Sequence, residues 1–275
     1  MGRLDRGLQF NSAQCGRLAG GRGPEPSGRA AIGGTLDSPA MSAGRQPALT
    51  GAHVDRVRRR VRRPTPDLGP PPGTEPFSDA DYRALRDRLL QRWPGGQDLL
   101  VFAYGSLLWK PACAVAEQRP ARLTGWHRSF CFRIVRYRGC DEHPGLMMSL
   151  EPGGSCKGVL QRLPVAEAPH CLELLVRREH SYKPSSHKPI WVRVESGGER
   201  VAAITWVIDR SSRNYLPGLS EAEKAAMIAA ACGARGPCCE YLLNTVEHLE
   251  ALGIHDPYLW RLQKLVAERI GEAAP

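Results

Sequence analysis

One segment limits the choice of fold more than any other. Leu99 to Tyr104 reads LLVFAY, six apolar residues in a row, and stops at Gly105-Ser106. A run that short and that continuous fits a strand buried on both faces. The rest of the fold must therefore cover it on two sides. The glycine that follows allows a tight loop at the strand's end. More strands come after it. Arg128 to Tyr137 alternates Phe130, Phe132 and Ile134 with cationic residues, as a half-buried strand does. Gly145–Leu150 and Lys157–Leu163 read as two strands joined by a hairpin turn at Pro152-Gly153-Gly154. Ile190–Val194 and Ala202–Ile208 supply two more. A helix is expected over Val165–Arg178, with Leu172, Leu175 and Val176 facing inward and Pro169 in its first turns. In the C-terminal third, Ser220 and Glu223 form a capping box, with Gly233 at the C′ position of that helix. Pro237 opens a second helix that closes at Gly253, and Asp256 caps a third. Roughly six strands with helices gathered toward the end make an α+β domain with a closed or partly closed sheet.

That domain is expected to span residues 76–275. Residues 1–75 are rich in Gly, Pro, Arg and Ser and show no sustained apolar period, so they read as a disordered leader. The leader holds 12 Arg, no Lys and 6 acids, a net of +6 out of +10 for the chain, which leaves +4 for residues 76–275. The basic balance thus says little about the folded part. The run Arg56–Arg63, RVRRRVRR, has the charge to touch nucleic acid or an anionic membrane, and equally that of a solvated charge run. No nucleic-acid partner is expected, and no apolar run approaches the length of a membrane span. An Arg-rich leader also suits a transit peptide, although no amphipathic helix is evident in it. Met41 offers an alternative start. Order is expected from Ser78, which N-caps a helix in a box with Asp81, while Phe77 and Tyr82 form a hydrophobic staple.

The nine cysteines, Cys15, Cys113, Cys131, Cys140, Cys156, Cys171, Cys232, Cys238 and Cys239, are odd in number and include no CxxC pair. They read as free thiols in a reducing cytoplasm, with neither a zinc site nor a disulfide framework. Two places could carry chemistry. Backbone N–H groups around Tyr104-Gly105-Ser106 could form a small anion nest, or the segment could be an ordinary strand-to-loop turn. Glu179 ends the expected helix before a strand that enters the core. A carboxylate there is either a solvated surface group or a partly desolvated general base with a raised pKa.

Beyond these separate readings, residues 99–266 resemble the ChaC-type γ-glutamylcyclotransferases, most closely the bacterial branch. The blocks are VFAYGSLLWKP (Val101–Pro111), RPARLTGWHRSFC (Arg119–Cys131), PGLMMSLEPGGSCKG (Pro144–Gly158), RREH (Arg177–His180) and CCEYLLNTVEHLEALGIHDPYL (Cys238–Leu259). The resemblance implies a small mixed β-barrel flanked by helices. It implies a carbon–nitrogen lyase that releases 5-oxoproline and cysteinylglycine from glutathione, without a metal or organic cofactor. It also implies that Val101, Phe102, Ala103, Tyr104, Gly105 and Ser106 form the γ-glutamyl-binding loop and that Glu179 is the acid/base. Tyr241 either lines the site or packs a helix face. Where the family often carries a Tyr before Trp191-Val192, this chain has His187, with Tyr182 nearby. The alternatives are a cyclotransferase for another γ-glutamyl amine, a silent regulatory member, or a nucleic-acid binder using the Arg leader. The oligomeric state is open.

Overall fold

The computed structural model describes residues 46–60, 69–93 and 95–272. The apolar run forms β1 (Leu99–Ala103), in which Leu99, Val101, Phe102 and Ala103 are fully buried. Four further strands enclose it: β2 (Glu117–Ile134), β3 (Gly145–Leu163), β4 (His187–Ser196) and β5 (Glu199–Ile208). They close into a barrel in the order β1-β3-β2-β4-β5. Every neighbouring pair is antiparallel except the closure of β5 on β1, which is parallel with Val101 opposite Ile204. Closure pairs both edges of β1, as a strand so apolar requires. The expected α+β domain with a closed, mixed sheet is the observed one.

One expected hairpin is absent. Pro152-Gly153-Gly154 lies within β3, which pairs with β2 along almost its whole length. The register slips between Thr124 and Trp126, and Gly125, Gly153 and Gly154 all have positive φ (86°, 103° and 65°). The glycines build a bulge, because β2 begins eleven residues earlier than its alternation announces and keeps the ladder going. The two-residue turn is Gly197-Gly198, between β4 and β5, with φ of 60° and 83°. Those angles suit the right-handed twist of a tight hairpin.

Among the described residues six α-helices accompany the barrel. Of these, α1 spans Gly51–Arg60, α2 Asp79–Leu90, α3 Ala168–Glu179, α4 Glu221–Ala230, α5 Cys238–Ala251 and α6 Pro257–Glu272. Both capping boxes are present, Ser78 with Asp81 and Ser220 with Glu223, and the Phe77 and Tyr82 rings meet at 5.2 Å. Val165–Glu167 is a 3-10 turn, so α3 starts with Pro169 in its opening turn, where a missing N–H costs nothing. Leu172, Leu175 and Val176 are buried on α3 as expected. Asp256 caps α6, its Oδ1 accepting from the N–H groups of Tyr258 and Leu259. Gly233 is not a helix cap. Residues Cys232–Gly233 pair with Gly236–Pro237 in a small hairpin instead.

The leader expected to be disordered through residue 75 contains α1. Leu49, Val54 and Val57 are buried, the Leu49 N–H donates to Gln263 Oε1 (2.7 Å), and Arg60 Nη2 donates to the Ile270 carbonyl (3.0 Å), both on α6. Val54 and Val57 at helical spacing, with Leu49 just ahead of the helix, are enough when a partner helix receives them, and the surrounding arginines hide that stripe. The expectation for residues 1–45 and 61–68 lies outside the described residues.

Candidate active site

The end of β1 is held from several directions. Arg128, 4% exposed, donates from Nε to the Tyr104 carbonyl (2.9 Å) and from Nη2 to the Lys157 carbonyl, and it pairs through Nη1 with Asp256 (2.9 Å). The Tyr104 hydroxyl donates to the Trp206 carbonyl at 2.9 Å. Gly105 then turns the chain into the 3-10 segment Ser106–Leu108. Only glycine fits there comfortably, since a Cβ would lie 3.0 Å from Tyr241 Oη and 3.1 Å from Met148 Cε. Both of those side chains are buried.

Opposite this loop stands the C-terminus of α3. Glu179 is its last residue, with a side chain 16% exposed. Arg178 Nε lies 3.4 Å from one carboxylate oxygen and His187 Nδ1 lies 3.7 Å from the other. Arg178 also donates from Nη2 to Ser106 Oγ at 2.9 Å, so one guanidinium ties the glycine loop to the Glu179 side. Burial raises the Glu179 pKa, but the facing His187 imidazole and the positive charge of Arg178 outweigh it. The net shift is downward. This reverses the expected sign, because the sequence signals burial without showing which cations burial brings along.

Behind Glu179, His180 is held as a neutral ring. Trp206 Nε1 donates to its Nε2 (3.2 Å), which places the ring proton on Nδ1, and Nδ1 donates to Ser185 Oγ (2.8 Å). Ser185 Oγ in turn donates to the His187 carbonyl at 3.1 Å. Burial, helped by the neighbouring His187, pushes the His180 pKa down to about 4. His187 itself packs against Phe132, with ring centroids 4.9 Å apart.

The two sides enclose a cavity of about 400 Å³. Of the residues expected to form the site, Phe102, Tyr104, Gly105, Ser106, Glu179 and Tyr241 line it, and Val101 and Ala103 do not. Alternate side chains of a strand face opposite ways, so Phe102 and Tyr104 reach the cavity while Val101 and Ala103 turn away from it. His187 and Tyr182 are both wall residues, as is Trp109, whose ring lies 5.8 Å from that of Tyr241. The Cys113 thiol is pushed up to about 12, by burial and then by Cys171, and those of Cys238 and Cys239 to about 12, chiefly by burial. None of them is poised as a thiolate. Among the described residues no group of three or more His, Cys, Asp or Glu could hold a metal ion, and no helix is long and apolar enough to cross a membrane.

Sequence reasoning did not assign Arg128 or Arg178 to the site. Arg128 had a signal: it lies in phase with Phe130 and Phe132, a cation on an otherwise apolar strand face. Arg178 had none, since its partner Ser106 is 72 residues away.

The chain is similar to several known proteins. A curated glutathione-specific gamma-glutamylcyclotransferase of Escherichia coli K12 is 35% identical over 173 residues, covering 61% of this chain and 74% of that protein. Gamma-glutamylcyclotransferase 2-3 of Arabidopsis thaliana is 29% identical over 180 residues, covering 63% and 90%. The selenomethionine crystal structure of a yeast γ-glutamylcyclotransferase specific to glutathione superposes with a TM-score of 0.57 at 20% identity, covering 63% of this chain and 97% of that one, and supports the fold. The family profile described as ChaC-like protein matches residues 99–269, more than half of the sequence, and includes the whole barrel and Glu179. The chain belongs to the ChaC-like protein family.

Proposed function

We propose that this protein cleaves the γ-glutamyl amide of glutathione by internal cyclisation, giving 5-oxoproline and cysteinylglycine. The observation that carries the reading is Glu179: a largely buried carboxylate kept ionised by the facing His187 and by Arg178, across a cavity from a glycine loop and with room for a tripeptide. The α-amine of the glutamyl unit attacks its own γ-carbonyl, so neither a protein nucleophile nor water is consumed. At neutral pH the amine starts as an ammonium. Two protons leave its nitrogen and two arrive on the departing cysteinyl nitrogen. Glu179 takes each from the first and passes it to the second. A low pKa keeps Glu179 in its proton-accepting form throughout the neutral range.

The loop at Tyr104-Gly105-Ser106 folds the glutamyl chain so that amine and carbonyl meet. Holding a near-attack shape of this kind is worth about 7–11 kcal/mol in favourable cases. Backbone N–H groups at Gly105 and Ser106 serve the α-carboxylate or the developing oxyanion. Phe102 and Tyr241 supply the remaining wall, and Arg178 fixes the distance between loop and carboxylate. None of the eight described cysteines is in a disulfide, which fits a reducing compartment such as the cytoplasm.

The test is to incubate purified protein with glutathione and quantify both products. Release of 5-oxoproline and cysteinylglycine in equal amounts supports the reading. Activity confined to other γ-glutamyl amines overturns the substrate but keeps the chemistry. Inactivity on every γ-glutamyl compound overturns the enzyme reading.

A further inference from the structure

The charges around the cavity are lopsided. Its wall carries Lys110, Arg136, Arg138, Arg178 and Arg235 against a single acid, Glu179. Arg178 faces Glu179, and Arg138 pairs with Glu240 at 2.6 Å. Neither Lys110 nor Arg235 pairs with a carboxylate among the described residues, and both are exposed. They differ in how they are held. Lys110 stands on a flexible stem. Arg235 is built in.

Arg235 lies in the turn of the small hairpin Cys232–Gly233 with Gly236–Pro237. Its backbone N–H donates to the Tyr137 carbonyl at 2.6 Å. The hairpin cannot slide, because a Cβ on Gly233 would meet the Tyr137 carbonyl at 2.6 Å and the Gly139 nitrogen at 2.7 Å. Tyr137 is the one non-glycine with positive φ (67°) among the described residues. That conformation presents its ring to Arg235, whose guanidinium carbon sits 4.0 Å from the ring centroid. Arg136 approaches the same ring at 4.8 Å. A guanidinium stacked by its face keeps the N–H donors along its edge available, and that planar fork matches a carboxylate.

We propose that Arg235, stacked on Tyr137, binds the C-terminal carboxylate of the substrate and thereby selects γ-glutamyl peptides that end in a free carboxylate. The inference rests on the glutathione reading above. With the glutamyl end at Glu179, the departing dipeptide points outward, and its glycyl carboxylate is the group left for an exposed cation on the wall. The residue acts on binding and plays no part in proton transfer.

The experiment compares wild type, Arg235→Ala and Arg235→Lys on glutathione and on its glycyl monoethyl ester, which lacks that carboxylate. For Arg235→Ala with glutathione, KM should rise about tenfold with kcat within about twofold, the size of one lost charge-assisted contact. With the ester, wild type and Arg235→Ala should have the same KM. Arg235→Lys should fall between, since it keeps the charge and loses the fork. A thermal melt confirms that each variant is folded. An equal loss on both substrates, or no loss on either, overturns the assignment of Arg235 while leaving the cyclisation chemistry in place. A wild type inactive on both, and on all other γ-glutamyl compounds, overturns the functional reading and this inference with it.

Discussion

On one wall of the cavity, Gly105 lies so close to Tyr241 and Met148 that a single methyl group would touch both. On the other, Glu179 stands 3.4 Å from Arg178 and 3.7 Å from His187, longer than ordinary charge-assisted hydrogen bonds. The first wall is shape, made of backbone and buried rings. The second is charge, made of side chains whose protonation states depend on one another. They meet at Arg178, which bonds to Ser106 on one side and faces Glu179 on the other. The difference separates two tasks in an internal cyclisation. The substrate must be folded onto itself, and protons must be moved between two nitrogens.

The most damaging change should fall on the charge wall. Glu179→Gln preserves volume and removes the proton carrier, so kcat on glutathione should fall about 10³-fold while KM changes little. A comparable loss in KM with kcat intact would make Glu179 a binding residue and erase the division between the walls.

The next effect concerns the support behind that wall. His180 has its pKa depressed to about 4 from an ordinary 6.5 by burial and the neighbouring His187. As pH falls below 6.5, the unfolded chain takes up a proton that the folded protein refuses until about pH 4. Stability present above pH 6.5 should therefore drop by about 3 kcal/mol over that window. Chemical unfolding at a series of pH values reads this directly, and His180→Gln should flatten the slope. A wild-type stability that stays level from pH 6.5 to pH 4 would mean that His180 protonates freely.

On the shape wall, Gly105→Ala should cost about 10²-fold in kcat/KM, because pushing Tyr241 or the loop aside displaces the bound glutamyl chain. Overpacking of this kind should also lower stability by about 1–3 kcal/mol. Its pH–rate profile should keep the wild-type shape, which would sharpen the contrast with the charge wall.

The smallest effect lies outside both walls. Arg58 on α1 shares Glu240 with Arg138, at 3.0 Å and 2.6 Å. Its side chain is half exposed, so Arg58→Ala should cost about 0.5 kcal/mol or less in an unfolding titration. A loss of several kcal/mol would show that α1 is held by this ion pair more than by Leu49, Val54 and Val57.

The same division explains what the sequence made legible. The buried strand, the glycine after it, both capping boxes and the inward face of α3 depend on neighbours within a few residues, and all could be read locally. So could the phase that puts Phe102 and Tyr104 on one face, although Val101 and Ala103 were placed in the site with them. The charge wall depends on residues that meet only in three dimensions. Nothing in RREH says that Arg178 reaches Ser106, or that His187 arrives beside Glu179 across a turn. Without those partners, burial alone points the Glu179 pKa the wrong way. The bulge at Gly153-Gly154 was misread for a related reason, since a glycine pair marks either a turn or a bulge until the partner strand's length is known. Helix α1 was missed because its apolar stripe is completed by α6, two hundred residues away.

The most direct test of the account is the pH dependence of kcat/KM for glutathione in wild type and in His187→Phe. Held ionised by its cations, Glu179 should give the wild type an acid limb below the ordinary glutamate range. In His187→Phe the desolvation that raises its pKa remains while the opposing imidazole is gone, so that limb should move upward in pH. A wild-type acid limb near neutrality, or a limb that stays in place in the variant, would contradict the claim that this wall keeps Glu179 charged for proton transfer.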